Sequence, residues 1–393
     1  MRAAPAPEEI RRRNLAVLLR HIHRDGPMSR AVLAERMGLN RSTILALTAD
    51  LAAAGLVSEE LPGQTGKAGR PSLVVRPSEQ VYVVALDVGA DRLAAGRVGL
   101  GGAVLDHTEI PRTSGTFDPD EVITTLAAMA RSMIDRAGPD TRCAGVGVAF
   151  CGMVRESDGV VRYGPNIGWV DVPVGARLSA ELGLTVTVGN NANLGALAER
   201  ERGVGVEAEN LIYLHGDVGI GGGIILGGNL IGGEGGYGGE VGHMIVNPGG
   251  RPCACGSRGC LEAEAGELAL IAAAGRTDPP GRAVVEAIVE AAARGDARSR
   301  DALHQVGDWL GYGVANLVNI FNPSMVVFGG VLREVYLASA AQVRSRLAVD
   351  GLLALRERVR LRTSALAADA TLLGAAELAF TDLLTDPLRS PGQ

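Results

Sequence analysis

One histidine and three cysteines lie close together in a glycine-rich stretch, at a spacing typical of metal sites. They follow the pattern H-x9-C-x-C-x4-C and are His243, Cys253, Cys255 and Cys260. One imidazole and three thiolates satisfy the tetrahedral geometry that Zn²⁺ prefers and leave no open position, so the pattern predicts a structural zinc site. Three unrelated buried thiols are the alternative. An iron–sulfur cluster is disfavoured, because only three cysteines lie in this segment.

Charge divides the chain into two parts. Residues 1–76 carry a net charge of +5, the remaining residues carry −11, and the whole chain carries −6. A basic segment attached to an acidic body is typical of a polyanion-binding module joined to a second function. The sequence therefore predicts that residues 1–76 bind duplex DNA, although the chain as a whole is acidic.

The basic segment has the pattern of a helix-turn-helix followed by a wing. A first helix is predicted over Asn14–Arg24, and Ser29 and Asn40 are expected to cap a second and a third helix. In such folds the start of the third helix enters the major groove, and a Gly-rich hairpin forms the wing. Any small three-helix module would share this pattern, but the charge asymmetry favours DNA binding. The residues assigned to the DNA-binding surface are Ser29, Asn40, Arg41, Ser42, Thr43, Lys67 and Arg70.

The rest of the chain predicts a two-lobed α/β domain. Apolar runs such as Val81–Asp87 and Ser324–Phe328 indicate buried strands, and amphipathic segments such as Pro119–Arg136 indicate helices. Two successive sets of strands and helices favour two lobes with a ligand cleft between them. We expect a DNA-binding domain over residues 1–76, an N-terminal lobe over 77–200 and a C-terminal lobe over 201–393. The final helix, over about 371–384, could pack back on the N-terminal lobe.

Composition excludes several classes of protein. A hydrophobic fraction of 47% and a charged fraction of 21% exclude a wholly disordered chain. No apolar run reaches the length of about 18 residues that a membrane span needs, and the N-terminus lacks the pattern of a secretion signal. Five cysteines, three of them in the metal motif, do not form a disulfide framework. A cytoplasmic protein is therefore expected, with no membrane partner.

The metal motif, its flanking residues and the predicted winged helix resemble the ROK family of repressors, open reading frames and sugar kinases. The resemblance rests on Gly-Glu-Val-Gly-His ending at His243, Cys-Leu-Glu ending at Glu262, and the Gly219–Gly223 loop, and it extends over roughly residues 10–380. It implies the α/β two-lobed actin-like ATPase/sugar-kinase fold, preceded by a winged helix-turn-helix domain. It also implies zinc on the four motif residues. Family members with a winged helix are mostly carbohydrate-responsive transcription regulators.

The same resemblance implies a sugar site. The residues that match the family's sugar contacts are Asn166, Asn190, Glu240, His243 and Glu262. Carboxylates and amides suit this role, because each sugar hydroxyl is both a donor and an acceptor. A zinc loop beside Glu240 and Glu262 would hold both carboxylates at a fixed distance. Solvated loop acids and turn asparagines are the alternative interpretations of these residues.

The sequence departs from the kinases of that family at three places that serve phosphoryl transfer. Their Asp-x-Gly-Gly-Thr loop is replaced by a segment that runs from Asp87 to Asp91, which puts an acid where phosphates would lie. Their Gly-Thr-Gly loop begins with Asp217 here and lacks the hydroxyl donor. The aspartate that accepts the sugar's proton is replaced by Asn191, whose amide cannot act as a general base. Asn191 can still hydrogen-bond a sugar, so it joins the predicted sugar site, and no catalytic residue is expected.

The favoured hypothesis is a sugar-responsive transcription regulator, a repressor of carbohydrate-metabolism genes, without kinase activity. It would bind a duplex DNA operator, respond to a sugar or sugar phosphate, and hold structural Zn²⁺. A homodimer or homotetramer would read palindromic half-sites. One alternative is an ATP-dependent sugar kinase with an attached DNA-binding domain. Another is a regulator with a vestigial cleft that responds to a protein partner.

Overall fold

The N-terminal segment forms a three-helix unit with a small sheet, which we call the head (residues 7–77). The computed structural model of the protein describes residues 6–61, 72–112 and 115–389. The three strands of the head form an antiparallel sheet in the order β1-β3-β2, and this winged helix form confirms the prediction. The elements of the head are α1 (Pro7–Asp25), β1 (Met28–Ser29), α2 (Arg30–Met37), α3 (Arg41–Ala53), β2 (Val57–Glu60) and β3 (Val74–Pro77).

Local sequence rules account for the start of both short helices in the head. The backbone N–H of Val32 donates to Ser29 Oγ (3.3 Å), and that of Thr43 donates to Asn40 Oδ1 (2.8 Å), so both asparagine and serine act as N-caps. The apolar pattern also predicts that Val32 faces the core. It is instead 38% exposed, because Leu33 occupies the inner face of α2 and is fully buried.

The N-terminal lobe is built on a five-stranded sheet in the order β11-β7-β4-β5-β6. Strands β11, β7 and β4 are parallel, whereas β4, β5 and β6 form an antiparallel meander. The parallel strands end at the cleft, as ligand-binding α/β sheets require. The elements of this lobe are β4 (Val81–Val88), β5 (Arg92–Gly99), β6 (Val104–Pro111), α4 (Pro119–Ala137), β7 (Arg142–Phe150), β8 (Met153–Arg155), β9 (Val160–Gly164), β10 (Trp169–Val172), α5 (Val174–Leu182), β11 (Val186–Asn190) and α6 (Asn191–Arg202).

Strands β8, β9 and β10 form a small antiparallel sheet that the sequence analysis did not assign. Each strand has only three to five residues, and polar residues and glycines interrupt the alternation that identifies longer strands. The sheet is anchored by Trp169, which is 1% exposed and donates its indole N–H to the backbone oxygen of Phe117 (2.8 Å). This sheet brings Asn166 towards the cleft.

The C-terminal lobe repeats the plan with a second five-stranded sheet in the order β14-β13-β12-β15-β16. The sequence pattern predicts neither helix α11 nor strand β16. Serine, alanine and arginine interrupt the apolar positions of α11, and β16 has only four residues. Within the described ranges, no helix combines the length and the apolar character needed to cross a membrane. The elements of this lobe are β12 (Leu211–Gly216), β13 (Ile220–Leu226), β14 (Asn229–Leu230), α7 (Leu261–Ala265), α8 (Glu267–Ala273), α9 (Arg282–Ala293), α10 (Ala297–Phe321), β15 (Met325–Gly330), α11 (Val331–Asp350), α12 (Leu353–Arg356), β16 (Arg360–Thr363) and α13 (Ala370–Thr385).

The last helix, α13, packs mainly against the sheet of the N-terminal lobe, while its first residue, Ala370, joins an apolar cluster of the C-terminal lobe with Tyr213 and Val327. Phe380 and Leu373 of α13 belong to one apolar cluster with Val83 of β4 and Leu18 of α1. The core of the head is therefore continuous with that of the N-terminal lobe. Helix α6 runs through residue 200, where the sequence analysis placed the boundary between the lobes.

Candidate functional site

The four residues of the metal motif converge in one loop of the C-terminal lobe. One ligand atom from each of them lies within 4.8 Å of all the others. The Cys255 and Cys260 Sγ atoms are 3.7 Å apart, and Cys253 Sγ lies 3.7 Å from His243 Nδ1. Tetrahedral Zn²⁺, with bonds of about 2.0–2.3 Å, would set its ligands about 3.5–3.8 Å apart. The cluster can therefore hold a tetrahedral metal ion.

The backbone of the loop brings these ligands together. Gly259 has φ +72°, and a side chain there would place its Cβ 1.7 Å from the backbone oxygen of Asn247. The N–H of Val246 donates to the oxygen of Gly259 (2.8 Å), and the N–H of Leu261 donates to that of Met244 (2.8 Å). These bonds place Cys260, which is fully buried, directly before helix α7.

Two acids connect the metal cluster to the cleft. Glu262, in the first turn of α7, accepts from the backbone N–H of Ile220 (3.1 Å), and its other oxygen lies 3.8 Å from Cys253 Sγ. His243 turns Nδ1 towards the cluster, and its Nε2 lies 3.9 Å from the Glu240 carboxylate. One imidazole therefore faces both the metal cluster and the cleft.

A cavity between the lobes collects the residues assigned to the sugar site. It also receives Met153 and Tyr163 from the small sheet and His215 from β12, which the sequence analysis missed. No motif signals these three, because each reaches the cavity only through tertiary structure. We call this part of the cleft the sugar half. All six assigned residues line it: Asn166, Asn190, Asn191, Glu240, His243 and Glu262.

The two adjacent asparagines fix the start of helix α6 in this cavity. Asn190 Oδ1 accepts from the N–H groups of Ala192 (2.9 Å) and Asn193 (3.1 Å), so Asn190 is the N-cap of α6. Its Nδ2 donates to the backbone oxygen of Gly152 (2.9 Å), and one amide hydrogen is left for a ligand. Asn191 is the first residue of the helix and is 8% exposed.

The charge state of the sugar half follows from its burial. Burial raises the pKa of the Glu240 carboxyl, as does the negative charge of Glu262, whereas His243 lowers it. Burial lowers the pKa of His215 to about 4, so its imidazole is neutral at neutral pH. The His215 Nδ1 lies 3.2 Å from the hydroxyl of Tyr213. The cavity thus presents neutral and anionic hydrogen-bonding groups side by side.

The adjoining part of the cleft, where the resemblance implies phosphates, is bonded within the protein. We call it the phosphate half (Asp87, Asp91, Arg92, Asp217 and Arg282). The Asp87 carboxylate accepts from the hydroxyl of Thr371 at the start of α13 (2.9 Å) and from the guanidinium of Arg92 (3.3 Å). Asp87 is 3% exposed, and burial raises its pKa although Arg92 and Thr371 lower it.

A second acid of the phosphate half lacks such partners. The Oδ1 atom of Asp91 is buried and has no hydrogen-bond partner among the described residues. Burial and the nearby charge of Asp217 raise its pKa, whereas Arg92 lowers it. Asp91, Arg92, Asp217 and Arg282 line one small cavity between the lobes. A nucleotide phosphate entering it would meet two carboxylates beside two guanidinium groups, one of which, that of Arg92, is already bonded to Asp87.

The described part of the surface that the sequence assigns to DNA binding includes the exposed start of α3. Arg41 and Ser42 are exposed there, and Thr43 is half-buried. The Ser42 hydroxyl donates to Asn40 Oδ1 (2.8 Å), so Asn40 orders the first turn in addition to capping it. Ser29 caps α2 in the same way. The remaining two assigned residues, Lys67 and Arg70, lie outside the described residues.

Comparison with known sequences yields one family and two kinds of relative. The sequence model of the ROK family matches residues 83–382. A xylose repressor of Bacillus spizizenii is 28% identical over 379 residues, which cover 95% of this chain and 97% of that protein. A glucokinase of Streptomyces coelicolor is 31% identical over 267 residues, which cover 64% of this chain and 82% of the kinase. The repressor match thus spans nearly the whole of both chains, whereas the kinase match is shorter.

Solved structures give the same division. A ROK family transcriptional regulator, described as a homologue of the E. coli MLC protein, superposes with a TM-score of 0.79 at 26% identity, over 96% of this chain and 98% of that one. A ROK family glucokinase from Streptomyces griseus, in complex with glucose and AMPPNP, superposes with a TM-score of 0.66 at 29% identity, over 76% of this chain and 98% of the kinase.

Proposed function

The chain belongs to the ROK family, and on this premise we propose that it is a sugar-responsive, DNA-binding repressor whose kinase-like cleft binds a sugar without phosphorylating it. The xylose repressors that it resembles match it over head and body together. A regulator of this kind acts where its operator lies, so we assign it to the cytoplasm.

One observation carries this proposal: polar side chains line the sugar half of the cleft, whereas polar side chains of the phosphate half bond one another. The six residues assigned to the sugar site line the sugar half, whereas Asp87 of the phosphate half is bonded to Arg92 and Thr371. The general-base position holds Asn191, which cannot take a proton from a sugar hydroxyl at neutral pH. Binding without turnover is the activity that this combination supports.

Zn²⁺ suits the metal cluster best, because three thiolates and one imidazole with no open position are typical of structural zinc. His243, Cys253, Cys255 and Cys260 would hold it. Bound zinc supplies no reaction step here. It would neutralise the thiolates and fix the loop, and the loop in turn orients His243 and Glu262 towards the sugar half.

The effector that we propose is an unphosphorylated aldose, with xylose the first to be tested. Four xylose repressor sequences match over at least 95% of this chain. The acids of the sugar half suit hydroxyl groups and disfavour a phosphate ester, because Glu240 and Glu262 would repel its charge. A sugar phosphate is the alternative effector and belongs in the same test.

The head would contact duplex DNA through Arg41, Ser42 and Thr43 in the major groove, with Lys67 and Arg70 on phosphates or in the minor groove. Two copies in a homodimer, or four in a homotetramer, would place two heads on palindromic half-sites. The sugar would act by changing the geometry of the heads. A coupling free energy of about 1–3 kcal/mol, which is a 5- to 150-fold change in affinity, is sufficient for a useful switch.

The decisive experiment measures operator binding with and without sugars. Duplex DNA selected from a random library by the full chain is titrated by fluorescence anisotropy, in zinc-replete protein, with D-xylose, D-glucose or glucose 6-phosphate present. We expect one aldose to change operator affinity by more than about fivefold. Failure to select any DNA, or an operator affinity that ignores all three compounds, would contradict the proposal.

The second candidate function is an ATP-dependent sugar kinase, which the shared identity with glucokinases favours. A coupled assay that detects ADP, with the same sugars, distinguishes the two. Turnover at a rate of about 1 per second or more, typical of an enzyme, would establish the kinase, and we expect no release of ADP above background. A third candidate, a regulator that responds to a protein partner, predicts that calorimetry detects no sugar binding at all.

A further inference from the structure

A buried polar cluster lies where the head meets the body, and we call it the joint (His23, Arg202 and Glu377). His23 belongs to α1 of the head, Arg202 ends α6, and Glu377 lies in the middle of α13. His23 is 3% exposed and Glu377 is 7% exposed. Three helices from different parts of the chain therefore bring charged or titratable side chains into contact in a buried position.

Hydrogen bonds tie the joint to the head. The Arg202 guanidinium donates to the backbone oxygens of His23 (3.3 Å) and Gly101 (3.0 Å), and it also donates to Glu377. The His23 Nδ1 lies 2.8 Å from the backbone oxygen of Leu100 and must carry a proton to bond it. Burial alone would raise the pKa of the Glu377 carboxyl, but its bonds to His23 and Arg202 outweigh burial and lower the pKa.

Both body helices of the joint begin in the cleft. Helix α6 starts at Asn191 in the sugar half, and its 12 residues span about 18 Å before Arg202. Helix α13 starts in the phosphate half, where Thr371 bonds Asp87 (2.9 Å). The cleft and the head are thus connected by two continuous helices, with no loop between them.

Helices α6 and α13 are in close backbone contact, which limits how far one can move relative to the other. A side chain at Gly374 of α13 would place its Cβ 2.0 Å from the backbone oxygen of Leu194 in α6. A sliding or rolling of one helix over the other is the motion that such a backbone contact allows. Beside the joint, an open cavity of about 660 Å³ is lined by residues of α1, α6 and α13, so this side of the contact between head and body is not filled by side chains.

The bonding at His23 has two alternative arrangements. Its Nε2 lies 2.7 Å from a terminal nitrogen of Arg202, which can only donate, and 2.9 Å from a carboxylate oxygen of Glu377, which accepts. Because Nδ1 carries a proton, Nε2 accepts from Arg202 when it is bare and donates to Glu377 when it is protonated. One nitrogen cannot do both, so a small displacement of α6 relative to α13 selects one partner, and each exchange takes up or releases one proton through the adjoining open cavity, which His23 lines. Other charged groups that face the adjoining cavity from α1 and α6 are Arg20, Arg24, Asp25, Arg200 and Glu201.

We propose that the joint transmits the state of the cleft to the head: a sugar that binds at the start of α6 shifts this helix against α13, His23 exchanges its partner, and α1 reorients the head. This inference rests on the proposed function and names the residues that couple its two sites. His23, Arg202 and Glu377 act here as positioning residues, because they touch neither the sugar nor DNA.

The test separates binding from coupling. Arg202→Gln and Glu377→Gln are compared with the wild-type full chain in two titrations: D-xylose affinity by calorimetry, and operator affinity with and without saturating D-xylose. We expect the sugar affinity of both variants to stay within about twofold of wild type. We expect the sugar-induced change in operator affinity to fall from more than about fivefold to less than about twofold.

Two further variants keep the result interpretable. Arg202→Lys retains the charge beside Glu377 but not the fork that reaches His23 and Gly101, so it should fold and show reduced coupling even if Arg202→Gln unfolds. Arg131→Gln, on a helix remote from the joint and bonded to Glu181, should retain full coupling. Wild-type coupling in folded Arg202→Lys and Glu377→Gln overturns the joint alone. A wild-type protein that does not respond to any sugar overturns the proposed function together with it.

Discussion

The sugar half and the phosphate half of the cleft both contain acidic side chains, but these side chains differ in exposure and in bonding. In the sugar half, Glu240 and His243 face a cavity, and their side chains are 38% and 33% exposed. In the phosphate half, Asp87 is 3% exposed and is bonded to Arg92 and Thr371. A polar group can recognise a ligand only if the protein leaves it a free donor or acceptor. The comparison therefore separates a half in which Glu240 and His243 are open to the cavity from one in which Asp87 is buried and already paired.

The internal bonds of the phosphate half also explain how the chain holds buried acids. An isolated buried carboxylate is strongly destabilising unless it is paired or protonated. Burial raises the pKa values of Asp87, Asp91 and Glu267 alike, and Asp87 also has a cation and a hydroxyl as partners, which lower its pKa. The guanidinium of Arg92 thus acts as the counter-ion of the buried Asp87 carboxylate.

The largest expected effect comes from breaking the support of the sugar half. Replacing the buried ligand Cys260 by serine should release the metal and lower D-xylose affinity by more than about 100-fold, because His243 and Glu262 lose their positions. Zinc content by mass spectrometry and sugar affinity by calorimetry measure this. Cys143→Ser, in β7 and outside the cluster, is the matched control and should retain both properties. Full sugar affinity in metal-free Cys260→Ser would show that the loop does not position the site.

A smaller loss is expected from removing one free acid of the sugar half. A hydrogen bond to a charged group contributes about 1.5–3 kcal/mol, so Glu240→Ala should weaken D-xylose binding by about 10- to 150-fold. Calorimetry at constant zinc content measures the change. Glu234→Ala, an exposed acid of the preceding turn, should leave the affinity unchanged. If Glu240→Ala binds as wild type does, the sugar half is wrongly assigned.

Glu267 of α8, whose pKa is raised by burial and further by the charges of Asp217 and Asp91 in the phosphate half, should affect stability. Burial raises the pKa of Glu267 from 4.5 to about 7, although the N–H of Gly281 donates to its carboxylate. The folded chain therefore keeps a proton that the unfolded chain loses near pH 4.5, so stability falls as pH rises from about 4.5 to about 7 and is flat above that range. Solvent screening limits the fall to about 1–2 kcal/mol.

Urea denaturation at pH 5 and pH 7.5 measures this fall in stability, and the difference between variants isolates Glu267 from other titrating groups. Glu267→Gln should reduce the dependence on pH, whereas Glu290→Gln, an exposed pair with Arg294, should leave it intact. A wild-type pH dependence in Glu267→Gln would show that this carboxyl ionises as an exposed one does.

Local and pattern-based features of the head, of the metal loop and of the cleft could be predicted from the sequence. The caps at Ser29 and Asn40 depend on their immediate neighbours, and the metal motif depends on spacing within one loop. Most strands and helices were found for the same reason, since their periodicity is contained within each segment. The substitution at Asn191 was visible because a motif surrounds it.

Features that depend on distant parts of the chain were not predictable. The Asp87–Thr371 bond and the His23–Glu377 contact each join residues that lie more than two hundred positions apart. His215 reaches the cavity through β12, with no motif around it. The short strands β8 to β10 are held by Trp169 and its tertiary contacts, and their own sequence specifies them weakly. Such features are fixed by tertiary packing, which overrides local propensity.

The smallest expected effect is that of Asn191→Asp, and it tests most directly whether the two halves of the cleft differ in function. Asn191→Asp restores a carboxylate to the general-base position, and a base alone contributes about 10²–10⁴-fold to a rate. We nevertheless expect no ADP release above background in the coupled assay, because both phosphate loops still lack the hydroxyl donors of the kinases and Arg92 remains bonded to Asp87. Sugar affinity should change by less than about threefold, since the carboxylate accepts the same hydroxyl protons as the amide oxygen. Measurable turnover in Asn191→Asp, with none in wild type, would mean that one amide alone separates this cleft from a kinase, and that the phosphate half still admits a nucleotide.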